Sequence, residues 1–203
     1  DDEGLKTLKA LIDNWWENEF IPNDYLLARV FLISKKGNTA NIDNYRPISL
    51  TNSIYKIFAA IIQKRLAEKI DHKLQKTQYG FRKGKSTAQA IHIIRRIMDV
   101  GYRAGQQLTL VLLDWEKAFD KDHQDQLINA VRRMNVPEAT IKELSMIYTS
   151  PRFQIRDSEG TSSKRSQLTG IRQGCPLSPY LFIVLMTALL ADAHTQTGPR
   201  RWS

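Results

Sequence analysis

The sequence predicts a mixed α/β protein, because strand-length apolar runs and helix-length periodic segments occur in the same 203-residue chain. Residues 28–34 and 108–113 are short apolar runs bounded by polar residues, as is typical of strands. Apolar side chains recur at helical spacing in residues 53–73 and 86–101. A chain of this length buries a substantial core in one or two subdomains.

The other elements follow from the same rules. Potential N-caps at Asn52 or Ser53, and at Ser86, mark where two long helices begin. Residues 153–156 and 166–169 can pair as a hairpin across a polar turn. We expect helices over residues 3–19, 53–73, 86–101, 122–134, 137–148 and 178–193.

Two of these segments carry a prediction about burial. Residues 108–113 form an uninterrupted apolar run that is too short for a helix, which predicts a buried central strand. In the helix that begins near Ser86, the side chains at 90, 91, 94, 97 and 98 share one face and are expected to point inward.

The composition excludes several classes of protein. Hydrophobic residues make up 42% and charged residues 25% of the chain, which is ordinary for a globular protein. No apolar run reaches the roughly 18–20 residues of a membrane span, so no membrane partner is expected. The single cysteine excludes an intrachain disulfide and fits a reducing compartment. The chain begins with Asp1 rather than Met, which suggests a piece of a longer protein.

The net charge of +9 is concentrated in one part of the chain. Residues 1–30 carry net −4, residues 31–107 carry net +11 and residues 108–203 carry net +2. A localised basic segment is what a nucleic-acid-binding surface requires, because phosphate contacts and counterion release supply most non-specific affinity. A solvated helical surface rich in lysine and arginine is the other interpretation.

Asp114 is the first candidate for chemistry. It follows the apolar run of residues 108–113, where a carboxylate needs a partner to compensate its charge. Mg²⁺ is one such partner, since it binds through one or two carboxylates and keeps positions for substrate phosphates. A cap of the next turn is the alternative. Asp120 lies beside a predicted helix start, where an N-cap or hinge role is favoured over metal binding.

Two loops rich in glycine are the other candidates. Residues 170–179 place Gly, Pro and Ser before an apolar helix, which indicates either a close approach of a ligand to the backbone or an ordinary helix start. Cys175 in this loop has no evident base and is not expected to be a catalytic thiol. Residues 79–87 combine two glycines, three cations and an aromatic, which suits phosphate contact. The glycine spacing excludes a P-loop.

These signals occur in an order that resembles the non-LTR retrotransposon (LINE-type) reverse transcriptases, which are related to group II intron reverse transcriptases. The resemblance covers residues 15–192 and is carried by five motifs, at residues 44–50, 55–57, 78–82, 113–120 and 172–182. It implies a right-hand polymerase, with an N-terminal extension and fingers in residues 1–107. Residues 108–203 would form the first half of the palm, with fingers elements interposed at about 122–170. The second catalytic palm motif and the thumb would be absent.

The resemblance also implies roles for single residues. Asp114 matches the first catalytic aspartate, a ligand of both Mg²⁺ ions (or Mn²⁺) in two-metal phosphoryl transfer. Phe119 matches the aromatic residue that excludes a 2′-hydroxyl, so that dNTPs are accepted and rNTPs refused. The residues that would bind the incoming nucleotide are Lys35, Lys36, Arg46, Gln173 and Gly174. The residues that would bind the template backbone are Arg82, Lys83 and Lys85.

The implied function is RNA-directed DNA synthesis, with an RNA template, a DNA primer and dNTPs as partners, together with the remainder of a longer polymerase or polyprotein. The implied setting is intracellular, the nucleus first because the family works at chromosomal DNA. Asp114 is the only one of the three metal-binding carboxylates that the chain matches, so residues 1–203 alone are expected to bind template weakly and not to polymerise.

Asp122, at a position that is usually apolar in relatives, favours a second hypothesis: an inactive module, derived from a reverse transcriptase, that binds RNA or protein. A translated relic without a selected role is the third.

Overall fold

The computed structural model describes residues 2–115, 123–157 and 160–197, with the side chains of 195–197 left aside. The described residues form seven α-helices and four β-strands, which confirms a mixed α/β fold. The helices are α1 (Asp2–Glu17), α2 (Asn23–Leu26), α3 (Ser53–Ile70), α4 (Thr87–Arg103), α5 (Gln124–Arg133), α6 (Glu138–Tyr148) and α7 (Ser178–Thr197). The strands are β1 (Leu27–Ser34), β2 (Tyr45–Leu50), β3 (Arg152–Ile155) and β4 (Arg165–Ser166).

The four strands form one mixed sheet in the order β2-β1-β3-β4. β1 runs antiparallel to β2 and parallel to β3, so that Val30 lies between Ser49 and Ile155. β3 and β4 pair antiparallel, which confirms that these segments form a hairpin, although its second strand is Arg165–Ser166 and not residues 166–169 as predicted. β2 was not predicted as a strand. It contains Pro47, which cannot donate a backbone hydrogen bond and is compatible with an edge position such as this one.

The hydrophobic core is organised around α3. Asn52 caps this helix by accepting a hydrogen bond from the Ile54 amide at 2.8 Å, as its sequence position predicts. Phe58 and Ile62 on its inner face are fully buried. The Trp15 ring of α1 meets Phe58 edge to face, with centroids 5.5 Å apart. Residues of α5, α6 and α7 complete the same core, and none of the described helices is long and apolar enough to span a membrane.

Residues 108–113 do not form the buried strand that their sequence predicts. They lie outside any strand, and Leu112 and Leu113 are more than four-fifths exposed. A strand is stable only where a neighbour pairs with its backbone. Within the described ranges the sheet is made without this segment. The prediction of a buried central strand is therefore wrong for the chain as described.

The inner face predicted for α4 is also exposed. The helix itself is confirmed, and Ser86 and Gln89 form a reciprocal capping box at its start. Ile91, Ile97 and Met98 are each about half exposed. Helical periodicity identifies a face that favours burial but not what covers it, and the described residues leave this face largely uncovered.

Candidate nucleotide-binding and template-binding site

Gly174 fixes the loop of residues 170–177 against strand β2. Its φ is +121°, a conformation that L side chains rarely adopt. A Cβ at this position would lie 2.4 Å from the Ser49 carbonyl oxygen, closer than real Cβ contacts. The Ser49 amide donates a hydrogen bond to the Gln173 carbonyl at 2.8 Å. Main chain therefore packs directly on main chain, and only glycine fits here.

This contact places Gln173 at the wall of a cavity that also holds two predicted cations. Lys35, Arg46 and Gln173 all line a cavity of about 400 Å³. Arg46 is exposed on β2, and the Lys35 Nζ lies 3.3 Å from the Asp43 carbonyl oxygen. Lys36 occupies the following turn, exposed to solvent and outside this wall. The remaining wall residues are Leu32, Ile42, Asp43, Tyr45 and Pro47.

A second cavity of about 440 Å³ adjoins the first and is more apolar. Its walls include Val30 and Phe153 from the sheet and residues 166–173 from the loop. Gln173 lines both cavities, so a movement of this one residue changes both walls.

Arg172 supports the loop from beneath. Its side chain is buried, and Nη2 donates to the Leu26 carbonyl while Nε donates to Gln167 Oε1 at 3.2 Å. The guanidinium also lies over the Tyr55 ring, 5.4 Å from its centroid. The neighbouring Cys175 is buried with its Sγ 3.4 Å from the Tyr55 hydroxyl. Burial raises the pKa of Tyr55 well above its usual value, which keeps this hydroxyl neutral.

Arg82, which was predicted to contact the template, is engaged by other residues of the chain. Its Nε and Nη2 grip both oxygens of the Asp71 carboxylate, at 3.0 and 2.8 Å. Nη1 donates to the Gln75 carbonyl at 2.9 Å, and only 8% of the side chain is exposed. This placement gives Arg82 a structural role.

The other two predicted template-binding cations are free to meet a ligand from solvent. Lys83 and Lys85 are both exposed beyond Arg82. The Lys85 Nζ lies 5.3 Å from the centre of the Tyr79 ring. Cations and aromatic rings occur together at surfaces that bind single-stranded nucleic acid.

Asp114 lies on the exposed segment that follows residue 107. Across the described ranges, no group of three or more histidine, cysteine, aspartate or glutamate side chains is arranged to hold a metal ion. Phe119, Asp120 and Asp122 fall outside the described residues. The predicted metal ligand therefore stands without described partners.

Sequence reasoning missed residues that act on the site through others. Ser49 contacts Gly174 through its backbone carbonyl, so the identity of the Ser49 side chain gives no sign of this contact. Asp71 binds Arg82 and accepts a hydrogen bond from Tyr180 at 3.4 Å, across 109 positions of sequence. The signal available in the sequence was that Asp71 is one of four acidic residues within the basic stretch of residues 31–107.

Cations on a cavity wall, a loop that only glycine permits and a separate loop with exposed lysines are together characteristic of proteins that bind phosphate-bearing ligands. The family model described as reverse transcriptase (RNA-dependent DNA polymerase) matches residues 33–200. The chain therefore belongs to the reverse transcriptase family.

Several curated relatives are similar over most of this chain. One, a probable RNA-directed DNA polymerase from transposon BS of Drosophila melanogaster, is 28% identical over 90% of this chain and 20% of its own length. A Pol polyprotein from a type-1 retrotransposable element R2 of Popillia japonica is 25% identical over 88% of this chain and 25% of its own. The RNA-directed DNA polymerase from mobile element jockey of Drosophila melanogaster is 25% identical over 96% and 21%. The chain thus spans between a fifth and a quarter of these relatives.

Proposed function

We propose that this chain is the nucleotide-binding and template-binding part of an RNA-directed DNA polymerase of a non-LTR retroelement. The observation that carries the proposal is that Lys35, Arg46 and Gln173, from three separate segments, line one cavity. The partition into fingers, up to residue 107, and the first half of a palm belongs to the same proposal. So do the right-hand architecture, the RNA template, the DNA primer, the dNTP substrate, attachment to a longer polyprotein and a site of action in the nucleus.

Arg46 and Lys35 suit a triphosphate for different reasons. The guanidinium of Arg46 can grip two phosphate oxygens at once, whereas the Lys35 ammonium acts as a point charge. Both are exposed at the cavity, so they can exchange water for phosphate oxygens. Lys36 is the next residue along the chain after Lys35 and is exposed to solvent, so it would add positive charge beside Lys35.

Gln173 and Gly174 would shape the space occupied by the incoming nucleotide and its template partner. The Ser49–Gln173 hydrogen bond holds the loop at fixed depth against β2. A backbone held in this way is already ordered before the ligand arrives, which reduces the entropic cost of binding. Selection of dNTP over rNTP would fall to Phe119.

The proposed cofactor is Mg²⁺, or Mn²⁺, and Asp114 is the residue that would hold it. The described residues do not fit a two-metal centre by themselves, because Asp114 is exposed and no cluster of three potential ligands occurs among them. One carboxylate leaves most positions around Mg²⁺ to water. For the described part of this chain, the proposal is therefore one of binding and positioning.

Nucleotide binding by residues 1–203 tests the cavity directly. We expect Arg46→Ala to weaken binding of a fluorescent dATP analogue about tenfold, the loss that follows when a charge-assisted phosphate contact is removed. Arg29→Ala is the matched control, since Arg29 is an exposed arginine on the adjacent strand that lies outside the cavity wall. Equal losses in both variants would mean that the cavity is not the site.

A second candidate is a binding module without polymerase chemistry, which the isolated position of Asp114 favours. Primer extension on an RNA template with Mg²⁺ tests for polymerase chemistry in this chain. Product that disappears in Asp114→Asn would establish polymerase chemistry in this chain. RNA binding without extension is expected of both candidates, so binding of the dATP analogue decides between them: RNA binding without nucleotide binding would support the binding module.

A further inference from the structure

Phe81 has an unusual backbone conformation for an exposed aromatic residue. Its φ is +58°, in the left-handed region that bulky residues rarely adopt, and 58% of its surface is exposed. Such strain persists only where the surroundings impose it, and it concentrates at functional sites. Neither burial nor packing explains why the ring is held in solvent.

The Asp71–Arg82 pair explains how the strain is maintained. Arg82 follows Phe81 directly and is tied to the Asp71 carboxylate and to the carbonyls of Asp71 and Gln75. Tyr180, near the start of α7, donates its hydroxyl hydrogen to the same carboxylate. The residue after Phe81 is thus fixed at several points, so the Phe81 ring is presented outward in one defined place.

Cations lie on the chain immediately beyond the ring. Lys83 and Lys85 are exposed two and four residues after Phe81, and Gly84 between them has φ +73°. Among the described residues, no carboxylate forms an ion pair with either lysine. The charge of Lys85 contributes to the lowered pKa of Asp71, but both lysines stay exposed to solvent. An exposed aromatic followed by exposed cations is the combination by which proteins hold single-stranded nucleic acid.

We propose that Phe81 is a stacking platform for an unpaired base of the RNA strand, and that Arg82 is a positioning residue that holds Phe81 in place. Lys83 and Lys85 contact the phosphates that flank this base. The inference rests on the proposed template-binding function and specifies how that function is achieved at this loop. It also reassigns Arg82 from contact with the template to support of the residue that makes the contact.

Exposure alone does not distinguish Phe81, because Phe20 is also exposed. Phe20 is 56% exposed, nearly the same as Phe81, but its φ is not positive. It also lies in the acidic first part of the chain. Isolated exposed apolar side chains are normal on protein surfaces. Phe20 therefore provides a control matched in residue type and exposure.

The test is fluorescence anisotropy of residues 1–203 with a labelled single-stranded oligoadenylate of roughly 12 nucleotides. We expect Phe81→Ala to weaken binding about tenfold, because one stacked base is lost. The dependence of the dissociation constant on salt should stay unchanged, since no phosphate contact is removed. Phe81→Trp should bind as the wild type does, and so should Phe20→Ala.

The positioning role predicts non-additive losses. Arg82→Lys and Asp71→Asn should each weaken binding of the oligoadenylate, while adding Phe81→Ala to either should weaken it little further. With an abasic oligonucleotide of the same length, all of these variants should bind as the wild type does. Circular dichroism identifies any variant that fails to fold, and Phe81→Ala, at an exposed site, serves as the primary test.

The outcomes distinguish this inference from the function on which it rests. If the wild-type chain binds no single-stranded RNA, both are overturned. If it binds RNA but Phe81→Ala binds equally well, or loses the same affinity for abasic and intact strands, the stacking role alone is overturned. Additive losses in the double variants would overturn the positioning role of Arg82.

Discussion

Gly105 and Gly174 both have positive φ but differ in the space around them. Alanine at Gly105 would test the cost of backbone strain alone, and alanine at Gly174 would add the cost of a steric clash. Gly174 has no room for a Cβ, whereas a Cβ at Gly105 (φ +63°) meets nothing within 4 Å. We expect Gly105→Ala to lower the free energy of unfolding by about 1 kcal/mol, and Gly174→Ala by at least about 3 kcal/mol. Urea denaturation measures both, and equal losses would mean that the loop is not seated on Ser49 as described.

The Asp71–Arg82 pair makes stability depend on pH. Hydrogen bonding to Arg82, with a further contribution from Tyr180, lowers the pKa of Asp71 below its usual value. The unfolded chain therefore binds more protons at this group than the folded chain does in acid. The stabilisation is present above the unfolded-state pKa of about 4 and is lost as the pH falls through the folded-state pKa.

Removal of the charge should abolish this dependence. The difference in unfolding free energy between wild type and Asp71→Asn is expected to be largest at neutral pH and to shrink below about pH 4. Tyr180→Phe removes one hydrogen bond that lowers the pKa, so the folded-state pKa of Asp71 should be higher and the total stability lost in acid should be smaller than in the wild type. Urea denaturation between acid and neutral pH measures both effects. If the difference in unfolding free energy between wild type and Asp71→Asn did not change with pH, the stabilising role of the Asp71–Arg82 pair would be contradicted.

The sequence could predict which residues carry charge and which need glycine, but not which charges are already engaged. Lys35, Arg46 and Gln173 line one cavity, and their role in nucleotide binding stays a prediction. Arg82 was expected to face the template because the resemblance to reverse transcriptases implies that role. Asp71 engages it from eleven residues away. That pairing depends on the path of the chain between them, which residue types do not encode locally.

At the scale of elements, periodicity predicted helices well because each helix makes its own hydrogen bonds. α3 and α4 begin at their predicted caps. Strands depend on partners elsewhere in the chain, so they were predicted less well. β2 was missed because its pairing with β1 outweighs the unfavourable Pro47. Residues 108–113 have strand-like composition but no described partner.

The uncovered face of α4 should tolerate truncation that the core does not. Ile62 is fully buried on α3, whereas Ile97 on α4 is 52% exposed. We expect Ile62→Ala to lower the free energy of unfolding by about 2–5 kcal/mol, and Ile97→Ala to change it by less than about 0.5 kcal/mol. A large loss for Ile97→Ala would show that this face is covered in solution. Sedimentation would then reveal whether a second copy covers it.

For the whole molecule, the uneven charge is a better guide to binding than the total of +9. The acidic first part of the chain neutralises lysines of the last part, since Lys142 pairs with Glu19 at 3.0 Å and Lys164 approaches Asp24 at 4.0 Å. Lys83 and Lys85 have no such pairs among the described residues. Equal positive charges therefore differ in how strongly they can attract phosphate.

This difference predicts the salt dependence of RNA binding. Each phosphate contact with a single strand contributes about 0.7 to the slope of log affinity against log salt concentration, because it releases counterions. Replacing Lys83 and Lys85 together with glutamine should reduce the slope by about 1.4, whereas replacing Lys142 and Lys164 should leave it nearly unchanged. Both double variants remove the same net charge, so a mechanism governed by total charge would lower the two slopes equally. Anisotropy titrations over a range of salt concentrations decide between a defined phosphate-binding loop and diffuse attraction to a basic protein.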